Sequence, residues 1–272
     1  MDCSSIGLTS SDRVTFSHEH TVGQVNEEEQ LTGGNASGPV VRVGGTVRKS
    51  WTAASAHVAE FVSHLRAAGV DAPAPLGRDE QGRQITEFVP GRLALDAPPL
   101  TLGELGRVGA LVRAIHDASA DFAPGRDAVW ETLLPPPDAS VICHNDLAPW
   151  NLLIGERWVF IDWDGAGPSS ALWDLAYAAQ SFTLNDVTAP PHEAARGLAA
   201  FVDGYGASAR MRELLPRTMH ERAAAMHELL RSAHETGREP WGTMYTSGHG
   251  AHWEAVTRYV AAHQSVWRAA IA

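Results

Sequence analysis

Apolar positions repeat every second residue over short stretches early in the chain and at helical spacing later, and this change in period divides the sequence. Glu29 to Thr32, Val40 to Val43 and Thr46 to Lys49 read as three strands, the last two joined by the two-residue hairpin signal Gly44-Gly45. A helix follows over Thr52 to Ala68, with Val58, Phe61, Val62 and Leu65 as its packing stripe. Asp71 to Pro75 breaks the pattern, and Arg83 to Pro90 reads as a further strand ending at Pro90-Gly91. Thr101 and Glu104 form a capping box that opens a helix carrying Leu102, Leu105, Val108, Val112 and Ile115 on one face and ending near His116, which reads as a packing histidine. Three consecutive prolines within Leu134 to Asp138 make a rigid connector. The last third predicts helices over His192 to Tyr205, Arg210 to Glu235 and Trp253 to Ala272; the last carries Trp253, Val256, Val260, His263, Trp267 and Ile271 as a core stripe.

Composition narrows the class. A chain of 272 residues with 44% hydrophobic content can bury a substantial core in one or two domains. Cys3 and Cys143 do not make a disulfide framework, the polar start MDCSSIGLTSSDR lacks a leader's apolar region, and no window is apolar enough to span a bilayer. A reduced, cytoplasmic setting away from membranes is the expectation. The net charge of −11 argues against nucleic acid as a partner and suits a cationic small molecule, although acidity also serves solubility.

The chemistry concentrates in Val141 to Asp164, VICHNDLAPWNLLIGERWVFIDWD. Here His144, Asp146 and Asn151 stand in the pattern H-x-D-x-x-x-x-N, and a strand-like segment, Arg157 to Ile161, delivers Asp162 and Asp164. A hydroxyl attacking the γ-phosphate of a nucleotide needs a carboxylate to orient it and take its proton, a role for Asp146. Mg²⁺ prefers hard oxygen ligands, which Asn151 and Asp162 offer. Upstream, the run Gly33 to Gly38 holds Gly34, Asn35 and Ser37, where glycines let backbone N–H groups approach phosphate oxygens.

The run HNDLAPWNLL, then IDWD, then WDLAYA resembles the catalytic core of the aminoglycoside phosphotransferase and choline kinase-like superfamily. The resemblance is specific over about residues 140 to 180 and architectural toward the C-terminus. It implies a two-lobed, protein kinase-like α+β fold, with residues 1–90 as a nucleotide-binding lobe of antiparallel strands and 91–272 as a mainly helical catalytic and substrate lobe. It implies Asp146 as catalytic base, Asn151 and Asp162 as Mg²⁺ ligands, and His144 and Asp174 as supports of the loop. Lys49, with Arg48 as its rival, is then the cation for the phosphates. Glu60 is the one acidic residue of the following helix that could pair with it. Backbone groups from Glu87 to Val89 are placed at the adenine edge.

Several assignments stay open at this stage. Trp150 reads as packing and Trp163 as a pocket wall. Asp164 can bind a second metal ion, bind a cationic substrate group, or cap the turn at Gly165. His220-Glu221, His227-Glu228 and His234-Glu235 recur every seven residues, about 10 Å apart on a helix and too far for one ion. Glu228 and Glu235 therefore read either as substrate-facing carboxylates or as a solvated face. The implied activity is transfer of the γ-phosphate of ATP or GTP to a hydroxyl of a small cationic acceptor, such as an aminoglycoside or a basic peptide antibiotic of the tuberactinomycin kind, by a monomer or weak dimer. Choline-like, sugar or macrolide acceptors are alternatives within the class. A catalytically silent nucleotide-binding module and a histidine-based metalloenzyme are the competitors outside it.

Overall fold

The computed structural model describes residues 28–31 and 38–272; Gly34, Asn35 and Ser37 of the expected phosphate loop lie outside them. Alternating runs such as Val41-Arg42-Val43 and Thr46-Val47-Arg48 suit a pleated sheet with two unlike faces, and they form one. Strands β1 (Glu28–Gln30), β2 (Val41–Val43) and β3 (Thr46–Lys49) are followed by helix α1 (Ser55–Ala67) and strands β4 (Pro75–Arg78) and β5 (Gln84–Glu87). The sheet is antiparallel in the order β1-β2-β3-β5-β4. Gly44 turns the β2–β3 hairpin at φ 59°, a conformation that favours glycine. Val58, Phe61, Val62 and Leu65 of α1 are buried, as their spacing predicts.

The chain continues with β6 (Arg92–Leu93) and α2 (Leu102–Ala120). The Thr101–Glu104 capping box is formed in both directions, and α2 runs a turn beyond His116. Strands β7 (Val141–Cys143), β8 (Leu152–Ile154), β9 (Trp158–Phe160) and β10 (Gly167–Ser169) then make two small antiparallel ladders, β6-β8-β9 and β7-β10. Helices α3 (Ala171–Thr183), α4 (Pro191–Tyr205), α5 (Ala209–Thr236), α6 (Trp241–Met244), α7 (Gly250–Ala262) and α8 (Gln264–Ala270) complete the chain. A single hydrophobic core runs from Phe61 in α1 through Trp163 to Leu215 and Trp267 in the helical lobe. Among the described residues, no helix is long and apolar enough to cross a membrane.

Two features depart from the periodicity. The single helix expected over Trp253 to Ala272 is two, because His263 leaves helical geometry at φ −116°, ψ 25°. The apolar stripe crosses this break without losing its face: Trp253, Val256, Val260, Trp267 and Ile271 are all buried, and the Trp267 indole N–H donates to the Val260 carbonyl at 3.0 Å. Between α6 and α7, Tyr245–His249 forms a π-helical turn with Gly248 at φ 112°, a local widening that hydrophobic spacing does not encode.

Helices α2 and α4 cross at glycines. A Cβ on Gly109 would stand 2.1 Å from the Phe201 carbonyl oxygen, and one on Gly204 would stand 2.0 Å from that of Gly106. Both obstacles are backbone, which cannot rotate away. Gly109→Ala is expected to cost about 2 kcal/mol or more of stability, read from urea denaturation; an unchanged midpoint would contradict this packing.

Candidate active site

Strand β7 ends at Cys143, and the chain must reverse within a few residues to bring Asp146 back toward the cleft. Asn145 makes that reversal in the left-handed region at φ 67°, which asparagine tolerates better than most side chains. Its backbone N–H donates to Asp174 Oδ1 at 2.9 Å, and its side-chain amide donates to the Gly165 carbonyl at 3.1 Å. Asp174 is itself buried (1% exposed), with its other oxygen 3.1 Å from His116 Nε2. His116 Nδ1 lies 2.9 Å from the Tyr205 hydroxyl. His116 is thus a link in the chain that braces the loop, a larger role than the packing one its position on α2 predicts.

His144 is fully buried (0% exposed). Its Nδ1 accepts from the Asp146 backbone N–H at 3.2 Å, which leaves Nε2–H to donate to the Ile161 carbonyl at 3.1 Å. Burial holds its pKa below the ordinary value, so the ring is neutral and ties the loop to the end of β9. Cys143, also buried, has its thiol pushed well above its usual range by burial and stays protonated.

The carboxylate of Asp146 is gripped on both oxygens. Oδ1 accepts from the Tyr177 hydroxyl at 2.9 Å; Oδ2 accepts from the Asn151 amide at 2.7 Å and, more weakly, from the Trp150 indole at 3.5 Å. Burial pushes its pKa up to about 6 and the nearby charge of Asp162 adds to this, against the opposing effect of the three donors. The Asn151 amide nitrogen also donates to the Asp146 carbonyl at 2.9 Å. With its nitrogen so committed, Asn151 has its oxygen left as an acceptor, the atom a cation would need.

Asp162 follows β9 in the left-handed region, φ 63° and ψ 58°. Lys49 of β3 forms an ion pair with Asp162 and a second with Asp164 at 2.7 Å. Burial is the largest influence on the lysine and pulls its pKa down, but the two carboxylates outweigh it and hold the pKa above its usual value. Asp164 also accepts from the Gln84 amide at 3.2 Å. Arg48, the neighbouring residue, points elsewhere: it contacts Asp79 at 3.5 Å and donates to the Thr46 hydroxyl at 2.6 Å. Strand alternation thus separates the two cations, with Lys49 on the cleft side. Asp162 and Asp164 meet at the Lys49 ammonium, and Asn151, whose backbone carbonyl accepts from the Ile161 N–H at 2.8 Å, adds an amide oxygen to a hard-oxygen set of the kind that fits Mg²⁺.

Other expected residues fall away from this cluster. Glu60 is exposed on α1, and Lys49 takes its carboxylate partners from Asp162 and Asp164 instead. Trp163 does not line a pocket: it is 6% exposed, its indole N–H donates to the Phe160 carbonyl at 2.9 Å, and its ring packs 4.4 Å from His144. A tight turn between the two aspartates sends their intervening side chain inward. Glu228 and Glu235 are also not brought to the site. Both pair with Arg231 on their own helix and are 60% and 56% exposed. They lie roughly 240° and 220° around α5 from Arg222, the residue of that helix nearest the catalytic loop. The rings of His227 and His234 pack near Tyr245, at 6.3 and 5.1 Å. Among the described residues, the group of potential metal ligands that draws together is His116, Cys143 and Asp174, and both His116 nitrogens already have partners.

At the hinge, the Glu87 N–H donates to the Ala74 carbonyl at 2.9 Å and the Phe88 N–H to the Gly45 carbonyl at 3.0 Å, so neither is free for a base. The Glu87 side chain accepts from the Ala74 N–H at 3.0 Å and forms an ion pair with Arg157, which also binds Asp71. Glu87 therefore ties the lobes together. Val89, just beyond it, is buried at 4%.

Tyr177 and Arg222 were not apparent from sequence spacing. Tyr177 sits in the WDLAYA run, three residues after Asp174, so its place on the same helical face was available as a signal. Arg222 carries no local signal, since only the packing of α5 against α3 delivers it.

A likeness to known proteins follows the same lines. Residues 121–214 match the family model described as "Phosphotransferase enzyme family". The matched segment holds the loop with His144, Asp146 and Asn151 and the carboxylates of Asp162 and Asp174, and the fold is similar to that of small-molecule kinases. The chain is 29% identical over 254 residues to the trifolitoxin immunity protein of Rhizobium leguminosarum bv. trifolii, covering 84% of this chain and 95% of that protein. Its fold is similar to that of an amicoumacin kinase in complex with AMP-PNP, Ca²⁺ and Ami (TM-score 0.64, 14% identity, 86% of this chain and 89% of that one). It is also similar to a spectinomycin phosphotransferase in complex with ADP and its antibiotic (TM-score 0.60, 14% identity, 88% and 93%).

Removing the brace should be felt in stability. Asp174→Ala strands the Asn145 N–H and His116 in the core, with an expected loss of about 3 kcal/mol by chemical denaturation. A variant as stable as the parent would show that the loop is held by something else.

Proposed function

We propose that this protein transfers the γ-phosphate of ATP, as its magnesium complex, to a hydroxyl group of a small antibiotic or toxin and thereby protects the cell that makes it. The observation that carries this reading is the grip on Asp146 beside Asn151 and Asp162, with Lys49 reaching into the same cleft from the other lobe. Residues 1–90 would serve as the nucleotide lobe and 91–272 as the catalytic and acceptor lobe. The acceptor oxygen forms a bond to the γ-phosphorus while the bond to the β–γ bridging oxygen breaks, the hydroxyl proton passes to Asp146, and ADP leaves. Mg²⁺, when bound, would neutralise charge on the phosphates. Asn151 Oδ1 and Asp162 would hold it, and Asp164 has the same reach.

Lys49 would be the cation for the α- and β-phosphates. Gly34, Asn35 and Ser37 would cover the phosphates, and with the Glu87 and Phe88 amides engaged, the backbone at Val89 is the candidate for the adenine edge. Catalysis on this plan is positioning and charge compensation in a site whose dipoles are already set. The protective role is supported by the 29% identity to an immunity protein. A cationic acceptor is supported by the net charge of −11, a property of the whole chain.

Asp146→Asn keeps the shape and removes the proton acceptor. Nucleotide-dependent phosphorylation should fall by about a thousandfold while AMP-PNP binding is retained; near-parental turnover would refute the assignment. Asp162→Ala should instead weaken binding of Mg²⁺–AMP-PNP in calorimetry, and an unaltered affinity would remove Asp162 from the metal set.

A further inference from the structure

Arg222 stands against the catalytic loop from α5, and its surroundings are unusual for a buried charge. It is 6% exposed. Its Nη2 donates to the Asn145 carbonyl at 3.3 Å, and its guanidinium lies 4.3 Å from the ring of Tyr177, whose hydroxyl holds Asp146, and 5.7 Å from that of Trp173. Its Nη1 is buried and has no hydrogen-bond partner among the described residues. Burial, the largest influence, lowers its pKa, and the negative charges of Asp146 and Asp174 act on it from nearby without bonding to it.

A guanidinium with half of its fork unpaired in the interior is costly, because a buried donor loses water without gaining a replacement. Cation–π contact with Tyr177 and Trp173 offsets part of that cost but satisfies no N–H. Such a group makes sense where a ligand completes it. The chemistry of the missing partner follows from the fork: a planar, permanently charged donor pair matches the two oxygens of a carboxylate or phosphoryl group and repels an ammonium.

We propose that Arg222 is an oxyanion-binding residue of the acceptor site, taking a carboxylate of the acceptor next to the reacting hydroxyl or the phosphoryl group in transit. The inference rests on Asp146 marking the site of transfer. It also changes the expected acceptor. The acidic residues of α5 that might have met a cation are paired with arginines of the same helix, Glu221 with Arg217 and both Glu228 and Glu235 with Arg231, whereas the charge that α5 delivers beside the catalytic loop is positive. An acceptor carrying amines would present them away from this point.

The test uses the full chain with Mg²⁺ and ADP bound, so that the nucleotide's phosphate positions are filled, and sulfate as the oxyanion probe. Thermal unfolding is followed across a sulfate titration at ionic strength held constant with NaCl. The parent protein should gain stability with sulfate. Arg222→Met should weaken the apparent sulfate affinity by roughly tenfold or more, with Arg222→Lys in between. Equal sulfate responses in parent and variants would overturn the proposal. Should Arg222→Met fail to fold by circular dichroism, the lysine variant carries the comparison, since it keeps the charge and loses the second N–H group.

Steady-state assays of ADP release then separate the two sources. A fall in kcat with water and with every acceptor assigns the site to the phosphoryl group. A higher KM for carboxylate-bearing acceptors with kcat retained assigns it to the acceptor. Failure of the kinase reading itself would appear as no ADP release by the parent with any acceptor, and the sulfate comparison would still decide the role of Arg222.

Discussion

The site depends on how a short loop is kept in a conformation it would not adopt alone. Asn145 and Asp162, the residues that place Asp146 and present the metal-side carboxylate, both take left-handed backbone angles, each at a cost of order 1–2 kcal/mol. The compensation is a set of hydrogen bonds around Asn145 and Asp146 that reaches back into the core. Asp174 takes the Asn145 N–H, His116 and Tyr205 stand behind Asp174, and His144 ties Asp146 to the end of β9. Because these groups are dry, each missing bond would leave a stranded donor or acceptor, so the arrangement favours one geometry over its neighbours. The orientation of the Asp146 carboxylate is therefore set by the protein itself.

That prior fixing also assigns atoms. An asparagine amide has two ends, and Asn151 commits its nitrogen to Asp146 twice, so its oxygen is the end offered to a cation. Lys49 sits between Asp162 and Asp164 as their counter-ion. A divalent ion competing for those carboxylates would free the lysine for phosphates. Each carboxylate would keep a cationic partner in either arrangement.

Much of this was legible in the sequence because it is local. The spacing of His144, Asp146 and Asn151 is a property of one loop, and Asp162 and Asp164 follow from one strand. Alternation puts Lys49 and Arg48 on opposite faces, and the ion pairs of the fold choose between them. The packing faces of α1, α2 and the C-terminal helices were likewise encoded by period, except that Leu102 in the first turn of α2 is exposed, and the capping box at Thr101 was encoded by four residues. What was not legible depends on tertiary contact. Trp163 turned inward because the turn joining Asp162 to Asp164 is tight. Glu87 became an interlobe ion pair because Arg157 of the β8–β9 turn reaches it. The break at His263 left the apolar stripe intact and so gave no sign in the pattern. Arg222 required knowing which face of α5 meets α3, whereas the pairing of Glu221 with Arg217 and of Glu228 and Glu235 with Arg231 is local spacing on one helix.

The central claim is that Asp146, Asn151 and Asp162 surround one magnesium–nucleotide end with divided roles. A crystal structure of the full chain with Mg²⁺ and AMP-PNP tests it most directly. The account predicts an ion liganded by Asn151 Oδ1 and by Asp162, Lys49 on the phosphates, and Asp146 free of metal with Tyr177 still donating to it. An ion bound to Asp146, or an Asn151 amide turned with its nitrogen toward the phosphates, would contradict it.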